Sequence, residues 1–290
     1  ENLNELHLVE IEIPKECSNI FVPLKSLEKL VMGETKTLNY DALRQVNNTL
    51  KELKLSKFST IQINKNLFDN QPNLESLDLS TLNSLGSKQD KYCIDLKSLA
   101  NLKSLKSLNL HNTNLNLEQD CEMIFSLENL EILDMSLFDR NSFIKRELVV
   151  NETTFKRLTN LKHLNLSGNR IKLEGNCFRH LTQLKTLDLS KTLLNSVNNE
   201  DYDIISSLKQ LEKFKLDKIE PCKSFQLYRL TELVNLRELE FTITEHDLEQ
   251  FREMLRSKRR RTGEAEEPHN PNPTYDDLCY FCLLYTSRRG

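Results

Sequence analysis

One apolar phrase, L-x-x-L-x-L, recurs along most of the chain. It begins at Leu3, Leu27, Leu50, Leu74, Leu105, Leu130, Leu161, Leu184, Leu211 and Leu236, with Met32, Met135, Phe214 and Phe241 standing in for leucine. The spacings between starts are 24, 23, 24, 31, 25, 31, 23, 27 and 25 residues. The L-x-L part has the two-residue period of a strand, so its leucines share one side and the residue between them faces the other. A single short strand cannot bury such leucines, whereas a stack of parallel copies closes a continuous core. Between the strands lie segments such as Phe155, Leu158, Leu161 and Phe178, Leu181, Leu184. Their F-x-x-L-x-x-L spacing predicts a short helix or 3₁₀ turn buried on one side.

From Leu161 to Ile171 the phrase lengthens to L-x-x-L-x-L-x-x-N-x-I, with Asn169 at the polar position. On these residues the chain resembles the leucine-rich-repeat superfamily, over about residues 3–244. The resemblance implies an α/β fold, a leucine-rich-repeat solenoid: a curved horseshoe with a parallel sheet on its concave face and short helices, 3₁₀ turns and loops on its convex face. The array is placed at 1–244, with about ten repeats. The asparagine slot departs from the family: its ten occupants are Ile11, Thr35, Phe58, Leu82, Thr113, Phe138, Asn169, Thr192, Ile219 and Thr244. Thr can hydrogen-bond part of the turn and Ile, Leu and Phe cannot, so an irregular array is expected. The two 31-residue units carry extra loop around Gly86–Ile94 and Asp139–Val150.

After the array, Thr244 and Asp247 form an N-terminal capping signal and Leu248, Phe251 and Leu255 share one helical face. A helix over 245–257 that covers the last repeat is predicted. Residues 258–275 turn from basic (Lys258–Arg261) to acidic and proline-rich and read as a disordered linker. Residues 276–290 read as a non-native tail, translated from a sequencing adapter, and the start at Glu1 reads as a fragment.

Chemistry adds little to this architecture. No phosphate-cradling, nucleophile-elbow or His-Glu-x-x-His motif is present, and the six histidines show no zinc spacing. No catalytic residue, metal ligand or cofactor is therefore assigned, and the chain is read as a non-enzyme. The net charge of -3 supplies no field to draw the protein onto nucleic acid. No run approaches the roughly 20 apolar residues of a membrane helix. Seven dispersed cysteines fit a reducing compartment. Three Asn-x-Ser/Thr triplets, at Asn47, Asn151 and Asn165, point weakly to the opposite side of the membrane.

The residue inside each L-x-L faces outward on the concave side. Asp78, Asn109, Asp134, Asn165 and Asp188 form a stripe of acceptors flanked by Lys54 and Lys215, with His111 and His163 beside it. These nine residues are the candidate partner-binding face, suited to a partner offering Lys or Arg. The alternative is that Asp and Asn serve the local turn, as in the recurring L-D-L-S and L-N-L-S strings. The function expected is a protein–protein interaction module binding a protein partner, as a monomer and without nucleic acid. Its setting is expected to be a cytoplasmic or nuclear scaffold, adaptor or ubiquitin-ligase substrate receptor. The second setting is the extracellular ectodomain of a cell-surface receptor resembling Toll-like receptors.

Overall fold

A computed structural model describes residues 2–35, 38–58, 63, 66–82, 95–113, 121–137, 147–195, 207–216 and 233–241. Each of the ten L-x-x-L-x-L units forms one strand of a single parallel sheet. In chain order these are β1 (Glu5–Val9), β2 (Lys29–Gly33), β3 (Glu52–Ser56), β4 (Ser76–Asp78), β5 (Ser107–Asn109), β6 (Ile132–Asp134), β8 (His163–Asn165), β10 (Thr186–Asp188), β12 (Lys213–Leu216) and β13 (Glu238–Phe241). The register never slips: Leu30, Leu53, Leu77, Leu108, Leu133, Leu164, Leu187 and Phe214 align strand to strand. These side chains are 0–1% exposed and form the spine of one continuous core. A one-residue slip would turn the whole row out to water, so burial fixes the register.

Behind the sheet, the F-x-x-L-x-x-L segments are successive tight turns. Leu158 N–H donates to Phe155 C=O at 3.0 Å and Leu161 N–H to Leu158 C=O at 3.1 Å, and the 178–184 segment repeats this at 2.9 and 3.1 Å. The three-residue bond spacing matches the three-residue apolar spacing, so all these side chains face inward. Phe125, Phe155 and Phe178 stack from unit to unit. Phe125 meets Phe155 edge-on at 5.1 Å between ring centroids, and Phe155 lies parallel to Phe178 at 5.9 Å. Only two short α-helices occur among the described residues, α1 (Tyr40–Arg44) and α2 (Cys121–Phe125). Asn39 caps α1 by accepting from the Ala42 N–H at 3.0 Å.

A smaller parallel sheet has the order β11 (Leu193–Asn195), β9 (Arg170–Leu173), β7 (Leu148–Val150). It corrects one expectation. The end of the second insertion, read as loop, is β7, whose Leu148 and Val150 are buried. A strand of three residues is too short to show a period in sequence. The insertion around Gly86–Ile94, the helix over 245–257, the linker over 258–275 and the tail over 276–290 lie outside the described residues.

The substituted asparagine slot has a structural explanation. Asn169, 3% exposed, donates its amide to Met135 C=O at 2.8 Å and Leu166 C=O at 2.9 Å, tying its own unit to the preceding one. Thr113 keeps the bond to the preceding unit (Leu79 C=O, 2.6 Å), and Thr192 keeps the bond within its own (Leu189 C=O, 2.5 Å). Phe58 and Leu82 give up both and fill the core instead.

Candidate functional site

The outward face of the ten-stranded sheet carries the residues singled out by the sequence. His7, Val31, Lys54, Asp78, Asn109, Asp134, Asn165, Asp188, Lys215 and Glu240 stand in one register row. His163 belongs to the outward row that precedes it in each strand, and His111 follows Asn109 by two residues on the same side. All nine candidate residues therefore share one face.

The Asp/Asn stripe has a structural task first. In each case a side-chain oxygen accepts the backbone N–H two residues on: Asp78 from Ser80 at 2.9 Å, Asn109 from His111 at 2.9 Å, Asp134 from Ser136 at 2.8 Å, Asn165 from Ser167 at 3.1 Å and Asp188 from Ser190 at 2.8 Å. Such local bonds compete with the sheet ladder. The strands carrying Asp or Asn at this slot are three residues long, whereas β2 and β3, with Val31 and Lys54 there, run for five. Slot chemistry thus sets where the strand ends.

What remains of each carboxylate differs along the row. Lys54 Nζ pairs with Asp78 Oδ2 at 3.0 Å, and Lys215 Nζ with Glu240 Oε2 at 2.7 Å. The flanking lysines are thereby engaged within the sheet. Asp134 Oδ2 accepts only the neutral Asn165 amide, at 3.0 Å. Among the described residues, Asp134 and Asp188 at the centre of the face make no ion pair, although Lys215 is the register neighbour of Asp188.

Around them lies a shallow depression of about 260 Å³ whose lining includes Ile132, Asp134, His163, Asn165 and Asp188, together with Lys213 and Lys215, which pair with Glu238 and Glu240. Ile132 is 43% exposed, an aliphatic contact point in an otherwise polar row. His163 Nδ1 lies 2.9 Å from Thr186 Oγ1, and His111 Nδ1 lies 2.7 Å from Ser136 Oγ. Burial, followed by the nearby charges of Lys185 and Lys162, pushes the His163 imidazole below its ordinary value. The ring is therefore mainly neutral at pH 7 and does not offset the two aspartates.

A ladder of charges borders the strand entries. Glu28, Lys51, Glu75, Lys106, Glu131 and Lys162 alternate in sign from unit to unit. Lys51 pairs with Glu28 at 2.9 Å, Lys106 with Glu75 at 2.8 Å and Lys162 with Glu131 at 2.7 Å. These contacts lower the Glu75 and Glu131 carboxyls and raise the Lys51 and Lys106 ammonium groups. The alternation breaks between Lys162 and Lys185, which instead pairs forward with Glu212 at 3.1 Å. That break sits beside His163 and the unpaired aspartates.

Sequence reasoning missed a second ladder. Asn73, Asn129, Asn160 and Asn235 each donate a side-chain amide to a carbonyl of the preceding unit, Asn48, Lys103, Glu128 and Lys209, at 2.8, 2.8, 3.1 and 2.7 Å. The signal was an asparagine immediately before the first leucine of the phrase.

Cys17 and Cys177 are unpaired; burial pushes the Cys177 thiol up to about 12, so it stays protonated and inert as a nucleophile. Among the described residues no three His, Cys, Asp or Glu side chains converge as a metal would need, and no helix is long and apolar enough to cross a membrane.

This architecture agrees with comparison to known proteins. The family described as "BspA type Leucine rich repeat region (6 copies)" matches residues 12–145, and the family described as "Leucine rich repeat" matches residues 146–194. The chain belongs to the leucine-rich-repeat family. It is similar to the CD180 antigen of Mus musculus, 25% identical over 221 residues that cover 73% of this chain and 31% of that protein. It is also similar to Receptor like protein 27 of Arabidopsis thaliana, 30% identical over 139 residues, 47% of this chain and 15% of that protein. The chain thus spans under a third of the length of these relatives. Among solved structures, an internalin (inlF) from Listeria monocytogenes shares the fold, with a TM-score of 0.53 and 17% identity over 83% of this chain and 69% of that one. Neither of these two sequence relatives supports the expected cytoplasmic setting, and the plant protein is a receptor-like protein by name.

Proposed function

We propose that the protein is an interaction module that holds a protein partner on the outward face of its ten-stranded sheet, centred on β6, β8 and β10. The observation that carries this reading is the uneven neutralisation of one register row. Lys54–Asp78 and Lys215–Glu240 are paired toward its two ends, while Asp134 and Asp188 are unpaired at its centre. A partner placing Arg or Lys there satisfies both carboxylates, with Ile132 as the apolar anchor beside them. Lys54, Asn109, His111, His163, Asn165 and Lys215 border that contact, and Asp78 is taken up by Lys54.

The test is selection of a random-peptide display library on the folded chain. The expected outcome is enrichment of Arg/Lys-containing peptides that no longer bind the double variant Asp134→Lys, Asp188→Lys. Peptides that bind the variant undiminished refute the site.

The module's setting follows a second observation. Similarity to the CD180 antigen runs over 73% of the chain and the plant relative is a receptor-like protein by name. These relatives favour the ectodomain of a cell-surface receptor over the cytoplasmic scaffold, adaptor or ubiquitin-ligase receptor that cysteine dispersion suggested.

A further inference from the structure

We propose that Asn151 is an N-glycosylation site, and that the folded protein does not accommodate a glycan at the other two Asn-x-Ser/Thr triplets. The inference rests on the surface-receptor setting proposed above and adds to it a modified residue.

The three triplets are alike in sequence and unlike in structure. Asn47 Nδ2 donates to Leu24 C=O at 3.0 Å, and Thr49 Oγ1, the third member of its triplet, donates to Leu27 C=O at 2.8 Å. Both reactive groups are committed to the preceding unit. Asn165 Nδ2 donates to Asp134 Oδ2 at 3.0 Å in the middle of the ten-stranded sheet. A sugar on that nitrogen would break the bond and stand on the face that receives the partner.

Asn151 follows β7 at the edge of the small sheet, away from the ten-stranded face. Its Oδ1 accepts from the Thr153 N–H at 2.9 Å and from Thr153 Oγ1 at 2.8 Å, which brings the two defining groups of the triplet together. Its Nδ2 has no hydrogen-bond partner among the described residues and is not sealed from solvent. Asn151 lines a hollow of about 750 Å³ together with Glu122, Met123, Val149 and Arg157. Val149, 43% exposed, is an apolar residue on this rim that a glycan would cover.

The donor is an oligosaccharide linked through its anomeric carbon to a lipid diphosphate. The Nδ2–C1 bond forms as the bond from C1 to the diphosphate oxygen breaks. The lipid diphosphate leaves with that electron pair, and the amide gives up one proton.

The experiment is to secrete the full chain from eukaryotic cells behind a supplied leader. The folded product is then treated with peptide N-glycosidase in heavy-oxygen water and its peptides are mapped by mass spectrometry. The expected result is heavy aspartate at position 151 in most molecules, with Asn47 and Asn165 unchanged. An unmodified Asn151, or Asn165 occupied as fully as Asn151, overturns the proposal. The supplied leader separates this from the setting. If the leader-driven protein carries the Asn151 glycan and the protein from its own source does not, the site stands and the surface-receptor reading falls.

Discussion

Replacing Asn169 tests how adjacent units are fastened together. Its amide is buried and donates to two carbonyls, Met135 at 2.8 Å in the preceding unit and Leu166 at 2.9 Å in its own. In Asn169→Ala both acceptors lose their donor in a site that is 3% exposed. Orphaning a buried polar group costs about 1–3 kcal/mol, so two together predict a loss of roughly 2–4 kcal/mol, allowing for partial relaxation. The chain supplies its own calibration, since Thr113 and Thr192 occupy the same slot and each satisfies one of the two equivalent carbonyls. Asn169→Thr should therefore recover about half of the loss. The assay is urea unfolding at neutral pH followed by far-ultraviolet circular dichroism, with the slope checked for a broken transition because repeat arrays lose cooperativity. Equal midpoints for Asn169→Ala and Asn169→Thr, or no shift for either, would refute the reasoning.

Three other outcomes follow from the geometry. Gly168 has φ +76°, and a Cβ there would lie 2.1 Å from Leu137 C=O, so Gly168→Ala should lower the urea midpoint by about 2–4 kcal/mol equivalent. Phe155→Ala removes the middle ring of the Phe125–Phe155–Phe178 stack and should cost about 3–5 kcal/mol in the same assay. The imidazole of His163 is held below its ordinary 6.5, so the folded state binds its proton less readily than the unfolded state does. Its contribution is full above 6.5 and is lost as pH falls through the lowered folded value, so His163→Gln should flatten the acid limb of a stability-versus-pH curve, and an unchanged limb would contradict this.

The solenoid was legible because its cause is periodic. Leu30, Leu53, Leu77 and their successors must all face one way, and nothing but a stack buries them. The candidate face was legible for the same reason, since the residue between two buried leucines has to point outward. What the stripe does locally was not. That Asp78 or Asn109 ends its strand by accepting the N–H two residues on is a matter of angle and distance, although the recurring L-D-L-S strings hinted at it. Strand β7 was hidden because three residues show no period, and its pairing with Arg170–Leu173 is a contact between units. The pairing of the flanking lysines was not legible: Lys54 and Lys215, read as bordering the stripe, form ion pairs with Asp78 and Glu240. Phe58 and Leu82 looked like defects of the asparagine slot and prove to be core residues.

The central claim is that a partner binds across Asp134 and Asp188, and carboxylate footprinting reads it most directly. Solvent-exposed carboxylates are amidated with a carbodiimide and a small amine, with and without a selected Arg/Lys-rich peptide, and each site is quantified by mass spectrometry. The account predicts that bound peptide suppresses labelling at Asp134 and Asp188 and leaves Glu128 and Glu152, 64% and 46% exposed in their side chains and away from the sheet face, unchanged. Protection at Glu128 and Glu152 with Asp134 and Asp188 still labelled would contradict it.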